Sequence, residues 1–210
     1  MYIAIAVASI TLLAVYLIAS IFIYKKKEET KFSFLNTFSY ELWKSKDRNT
    51  FAINIILFFA LGLFITNNMT YLVKNYDSNR LMSVILSVIL AFSVGATNII
   101  PLNKYKEHLT MSMIMMAATS LLSLMNLIAE IRLYRILTDN LLFISIVIDT
   151  IILLISLVGL LDPKLFNLNM QRDEDGKLIR PRFIHLATFE WLTILAFLFS
   201  QVSLIIFELI

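Results

Sequence analysis

Six apolar runs of roughly 20 residues alternate along this chain with short polar and charged segments, at about 2–24, 51–72, 81–101, 109–131, 141–161 and 187–208. As an α-helix, a run of that length crosses roughly 30 Å of hydrocarbon. Barrel strands are shorter and alternate apolar with polar residues, which these runs do not. The pattern predicts an all-α fold, a polytopic membrane helical bundle with six transmembrane helices forming a single domain over 1–210. The first run lacks a basic leader and leads directly into Lys25, Lys26 and Lys27, so it reads as a first span and not a cleavable signal.

Composition agrees with the pattern. The chain is 59% hydrophobic and 16% charged, with a mean hydropathy of +0.81, whereas soluble domains are about half apolar and about a quarter charged. Cysteine is absent, which excludes disulfides and thiolate chemistry.

Charge placement predicts orientation. Of the 18 Lys and Arg residues, 14 fall in segments 25–50, 102–108 and 162–186, and 4 in the alternate connections. The positive-inside rule puts the 14 in the cytoplasm, so the N-terminus and C-terminus are both expected outside. The expected location is the plasma membrane, in multi-pass form. The two outer connections are read as about 8–9 residues each, too short for a ligand-binding domain.

Two cytoplasmic connections carry patterns of their own. Phe34, Leu35, Phe38, Leu42 and Trp43 recur at helical spacing between Lys25–Lys27 and Lys44–Arg48. This predicts a short amphipathic helix anchored in the headgroup layer, its rings in lipid and its lysines toward anionic lipid; a protein docking site is the alternative. Segment 162–185, with Asp175-Gly176 as a turn signal, reads as a small hairpin or turn. It is no EF-hand, because Arg182 stands where the bidentate Glu belongs.

Within the spans, polar residues gather on faces. Ser112, Thr119, Ser123, Asn126 and Glu130 fall in one sector of roughly 60° on the fourth run. Ser145, Asp149 and Ser156 share a face of the fifth, and Glu190, Gln201 and Glu208 a face of the sixth. Asp149 lies about 12 Å inside its span. A carboxylate there costs about 2.5–3.5 kcal/mol on insertion scales, so it calls for a partner or a purpose. One reading has Asp149, Asn126 and Gln201 converging, with Ser145 and Glu130 nearby, on a polar site that binds a cation, a proton or an amine. The other has Asp149 protonated, or paired with Arg132 or Arg135, and serving only helix register.

Ser83, Ser87, Ala91 and Gly95 form a small-residue ridge at four-residue intervals on the third run, suited to close helix packing within the chain or against a second subunit. The prolines (101, 163 and 181) lie at span ends or in loops, so nothing marks the broken helices of many transporters. His108 and His185 sit at cytoplasmic span ends near Glu107 and Glu190, and a metal site or acid–base pair there requires the fourth and sixth spans to be neighbours. No catalytic or nucleotide-binding motif occurs, and neither a cofactor, a metal nor a nucleic-acid partner is expected.

Three functions remain open. The first is a non-catalytic subunit, scaffold or sensor acting through helix contacts with a membrane-protein partner or as a homo-oligomer in the lipid bilayer. The second is a small transporter or channel using the polar site around Asp149, and the third an intramembrane lipid-modifying enzyme. The orientation gives a direct prediction. Single cysteines replacing Ser45 and Ser78 should react with impermeant maleimide from the inside and the outside respectively. The opposite labelling would reverse the topology.

Overall fold

The computed structural model describes residues 2–27, 32–42, 48–74, 78–166, 171–172, 178–179 and 181–209. Six long helices dominate it: α1 (Tyr2–Lys27), α2 (Arg48–Lys74), α3 (Ser78–Ile99), α4 (Tyr105–Leu137), α5 (Asn140–Leu161) and α6 (His185–Leu209). Each is long and apolar enough to cross a membrane. Together they suggest a multi-pass integral membrane protein. Asn67, Asn68 and Thr70 do not end α2, which continues to Lys74. The Asn68 amide donates to the Phe64 carbonyl one turn back, staying inside the helix's own bonding pattern.

Sequence-adjacent helices pack side by side around a ring, α6 closes it against α1, and α4 also reaches α6. The odd-numbered connections (α1–α2, α3–α4 and α5–α6) share one end, called here the basic end because it holds most of the lysines and arginines. At the far end the α4–α5 link is only Thr138 and Asp139, shorter than the 8–9 residues expected. Arg132 and Arg135 belong to the last turns of α4 and not to a loop. Thr138 turns the chain with φ of 49°, its N–H bonding the Tyr134 carbonyl, and the Asp139 carboxylate caps α5 by accepting from the Leu141 and Leu142 amides. Two local caps thus replace a loop.

The bundle is apolar outside and polar within. Phe22, Phe59, Phe92 and Leu161 are each at least 65% exposed, while Ser9, Ser87, Asn98, Ser112, Asp149, Glu190 and Gln201 are at most 1% exposed. Such an exterior is a liability in water and matches a hydrocarbon surround. The larger core joins Leu13, Tyr16, Leu57, Phe64, Leu90, Met115, Trp191 and Phe197, with Phe64 and Phe197 ring centroids 4.3 Å apart. A smaller core at the basic end joins Phe38, Met116, Leu165, Ile184, Leu186 and Ala187.

Segment 32–42 departs from the expected surface helix. It forms a turn and a short 3-10 helix, Ser39–Leu42, that folds into the mouth of the bundle. Phe38 is 0% exposed inside the smaller core, so its ring faces protein and not lipid. The reason is polar as much as apolar: the Thr37 carbonyl accepts from the Trp191 indole at 2.6 Å, and the Leu35 carbonyl from the Ile184 amide at 2.7 Å. Phe34 remains 38% exposed, its ring edge-on to Trp191. Trp43 and the side chains of Lys25, Lys26 and Lys27 lie outside the described residues. The α5–α6 connection forms a two-residue antiparallel ladder, Gln171 to Ile179 and Arg172 to Leu178.

The small-residue ridge packs inside the chain. Ser87, Ala91 and Gly95 are buried and Ser83 half-buried, and a Cβ on Gly95 would stand 3.0 Å from the Phe58 ring of α2. Gly159 marks a closer approach, where a Cβ would fall 2.9 Å from Phe189 of α6 and 3.0 Å from the Met116 sulfur of α4. Gly62 has nothing within 4 Å of that position. Overpacking costs about 1–3 kcal/mol, and valine's helix propensity is common to both sites. Gly159→Val should therefore lower the detergent unfolding midpoint well below that of Gly62→Val. Equal midpoints would show that α5 does not seat this closely.

Candidate functional site

Toward the far end, α4, α5 and α6 bring two carboxyl groups together in the interior. Glu130 is 2% exposed and Asp149 0%. Ser203 of α6 stands between them, its Oγ 2.8 Å from Glu130 Oε1 and 2.7 Å from Asp149 Oδ2. Ser145, one turn before Asp149 on α5, donates to Glu130 Oε1 and lies 2.7 Å from the Ser203 hydroxyl. Helical spacing explains the cluster on α5, since residues four apart share a face. Asn126 and Glu130 have the same spacing on α4, and both adjoin the Asp149 carboxyl.

Proton bookkeeping constrains this cluster. Four close oxygen pairs link Glu130, Ser145, Ser203 and Asp149. Each close pair needs a hydrogen between its oxygens, and the two serine hydroxyls supply one each. With both carboxyls ionised, two pairs would lack a hydrogen and two negative charges would lie buried side by side. A proton on one carboxyl supplies a third hydrogen and removes one of the two charges, and a bound cation offsets the charge. Glu130 Oε2 and Asp149 Oδ1 are buried and make no hydrogen bond, so the pair keeps two acceptor oxygens in hand.

The expected trio is only partly assembled. Asn126 adjoins Asp149, but Gln201 does not join the carboxyl pair, and both its amide atoms are buried without a hydrogen-bond partner. Two residues along a helix lie about 200° apart, so with Ser203 facing α4 and α5, Gln201 turns toward the rest of the interior. Ser203 is the residue the sequence reading missed. The signal was its position one-and-a-half turns from the end of an apolar run, indistinguishable there from a packing serine. Arg132 and Arg135 are exposed, and the partners found for Asp149 are Ser203, Glu130 and Asn126.

At the basic end the fourth and sixth helices are neighbours, and His108 pairs with Glu190 at 2.7 Å. Glu107 is exposed and takes no part. His185 instead meets Asp162 across the α5–α6 turn. Partial burial alone would raise the Asp162 carboxyl, but the Lys164 amide and the His185 ring outweigh it and hold the group below the usual carboxylate range. Midway along the bundle Ser120 donates to Ser156 at 2.8 Å, joining α4 to α5. Among the described residues no three His, Cys, Asp or Glu side chains form a group that could hold a metal ion.

Comparison with protein-family models, with curated proteins and with solved structures returns no match. Interhelical hydrogen bonds in membranes average about 0.6 kcal/mol, but Ser203 serves two buried carboxyls, and stranding such groups costs about 1–3 kcal/mol. Ser203→Ala should lower the detergent unfolding free energy by an amount in that upper range. Ser200→Ala, which removes only a bond to the Phe197 carbonyl of the same helix, should be close to neutral. Equal effects would show that the cluster is not held by Ser203.

Proposed function

We propose that this chain is a multi-pass membrane protein that binds a proton or a small monovalent cation at the Glu130–Asp149 pair and moves it across the bilayer. The observation that supports this most directly is a carboxyl pair sealed among three membrane-length helices, with one unpaired oxygen on each member. Ionisable groups at such depth are costly to bury and are kept for ion binding or relay far more often than for packing. A register-fixing role needs one satisfied polar contact, and the pair goes beyond that need.

The chemistry suits a hard, small charge. Glu130 Oε2 and Asp149 Oδ1 are oxygen ligands, appropriate to a proton or an alkali cation and poor for soft metals. Ser145 and Ser203 hold the remaining carboxylate oxygens in place, so occupancy changes the charge of the site more than its shape. Helices without a break are compatible with this, because side chains and not exposed helix ends supply the ligands. The proposed topology puts the basic end in the cytoplasm of a plasma membrane, both termini outside, and the carboxyl pair in the outer half.

The test is flux in liposomes containing the purified chain, read with a pH-sensitive dye under a proton gradient and a sodium-sensitive dye under a sodium gradient. Asp149→Asn keeps the side chain's shape and removes its charge. It should cut the responding flux at least tenfold while the protein remains folded, and the responding dye identifies the ion. Unchanged flux in Asp149→Asn would overturn the proposal. Absence of flux in the native chain, together with a stoichiometric membrane-protein partner lost in Asp149→Asn, would establish the subunit function instead.

A further inference from the structure

The basic end holds a second ionisable cluster that the carboxyl pair does not use. His108 of α4 and Glu190 of α6 are both 0% exposed, with His108 Nε2 2.7 Å from Glu190 Oε1. The other ring nitrogen, Nδ1, lies 2.6 Å from the Ile100 carbonyl oxygen. A carbonyl only accepts, so Nδ1 carries a hydrogen. The contact between Nε2 and Oε1 then holds a single proton, as imidazolium beside carboxylate or as imidazole beside carboxylic acid. The pair is neutral overall in both forms. Ser112 donates to the same Oε1 at 2.7 Å. Losing the shared proton would leave a nitrogen lone pair facing a carboxylate, both of them fully buried.

Segment 32–42 covers this pair. Ser39 donates to Glu190 Oε2 at 3.4 Å, and the rings of Phe38 and Tyr40 meet the His108 ring edge to face at 5.8 and 5.5 Å. The cover is held to α6 and its approach by the Trp191 indole donating to the Thr37 carbonyl, the Ile184 amide and Thr188 hydroxyl donating to the Leu35 carbonyl, and the Asn36 side-chain amide donating to the Pro181 carbonyl. Other titratable groups face the pair from neighbouring elements. Tyr16 of α1 feels the charge of Glu190 and donates its hydroxyl to Asn98 of α3 at 2.8 Å. Tyr40 touches the imidazole, and the Glu41 carboxylate accepts from the Phe38 amide at 3.1 Å. At the α3–α4 junction the contact is the uncharged Ile100 carbonyl.

We propose that the His108–Glu190 pair is a proton-binding site at the basic end and that segment 32–42 is its cover, seated while the pair holds its proton and released when that proton leaves. The site stands apart from the carboxyl pair, since α4 from His108 to Glu130 spans about 33 Å. It therefore does not rest on the flux reading.

The chain has two histidines and no cysteine, which makes both halves of the proposal measurable. In His185→Gln protein labelled with 15N-histidine and reconstituted in lipid, His108 is the sole imidazole. Its NMR signals should show a protonated Nδ1 and a hydrogen-bonded Nε2, and should shift as rising pH removes the shared proton. Over the same pH range a Thr37→Cys probe should react with water-soluble maleimide at least tenfold faster. In Glu190→Gln the amide nitrogen takes the place of Oε1 and donates to Nε2 and to the Ser112 hydroxyl, which can itself donate to the His108 carbonyl. The amide oxygen faces Ser39, so the contact survives without a titratable proton. Both readouts should then be independent of pH. The Asp149→Asn background should leave both unchanged, which separates this site from the other. His108 signals constant across the whole pH range of the folded protein would overturn the proposal, as would cysteine labelling that rises equally in Glu190→Gln. If Glu190→Gln does not fold, the His108 titration and the native-sequence labelling decide by themselves.

Discussion

Buried charge inside an apolar shell is the constraint on which the rest of this bundle depends. Glu130, Asp149, His108 and Glu190 are each at most 2% exposed, and the outward faces of the helices carry residues such as Phe22, Phe92 and Leu161. None of the four can be compensated by solvent, so each must be compensated by another helix. Helix α6 does much of this. It carries Glu190 to His108 of α4 at one end and Ser203 to Glu130 and Asp149 at the other. Those polar groups link α4 to α6, and the ring closes on α1 through the apolar core that joins Leu13 and Tyr16 to Trp191 and Phe197.

The two ionisable clusters are built differently, and the difference follows from their donors. The far-end cluster has two carboxyls and two hydroxyls, more acceptors than hydrogens, and leaves Glu130 Oε2 and Asp149 Oδ1 open. Such a set attracts a positive charge. The basic-end pair joins an acid to a base, needs one proton for one contact, and is neutral when it has it. The first arrangement suits binding and the second suits sensing whether a proton is present. Ser120 and Ser156 bond between them at mid-bundle, so α4 presents polar groups along nearly its whole length.

Close packing sets where these polar groups can stand. Gly159 lets α5 approach Phe189 and Met116, and Gly95 lets α3 approach Phe58. Without such contacts the helices would stand farther apart and the serine bridges, at 2.7–2.8 Å, would not span the gap. The short α4–α5 link acts in the same sense. A left-handed Thr138 and the Asp139 cap fix the two helices side by side over Ser145, Asp149 and Glu130.

Six helices and the polar faces of α4 and α5 were legible in the residues, because runs of about 20 apolar residues and helical spacing are local properties that need no knowledge of neighbours. Partnership was not legible. That His108 meets Glu190 and not Glu107, that Ser203 and not Gln201 reaches Asp149, and that Phe38 turns into the protein and not into lipid all depend on how α6 is rotated against α4 and where segment 32–42 folds. Periodicity places a side chain on a face of its own helix, but the identity of the opposing face is a long-range fact. Only the tertiary structure, by bringing residues such as Ser39 and Glu190 together across most of the chain, decided which buried groups are paired and which oxygens remain open.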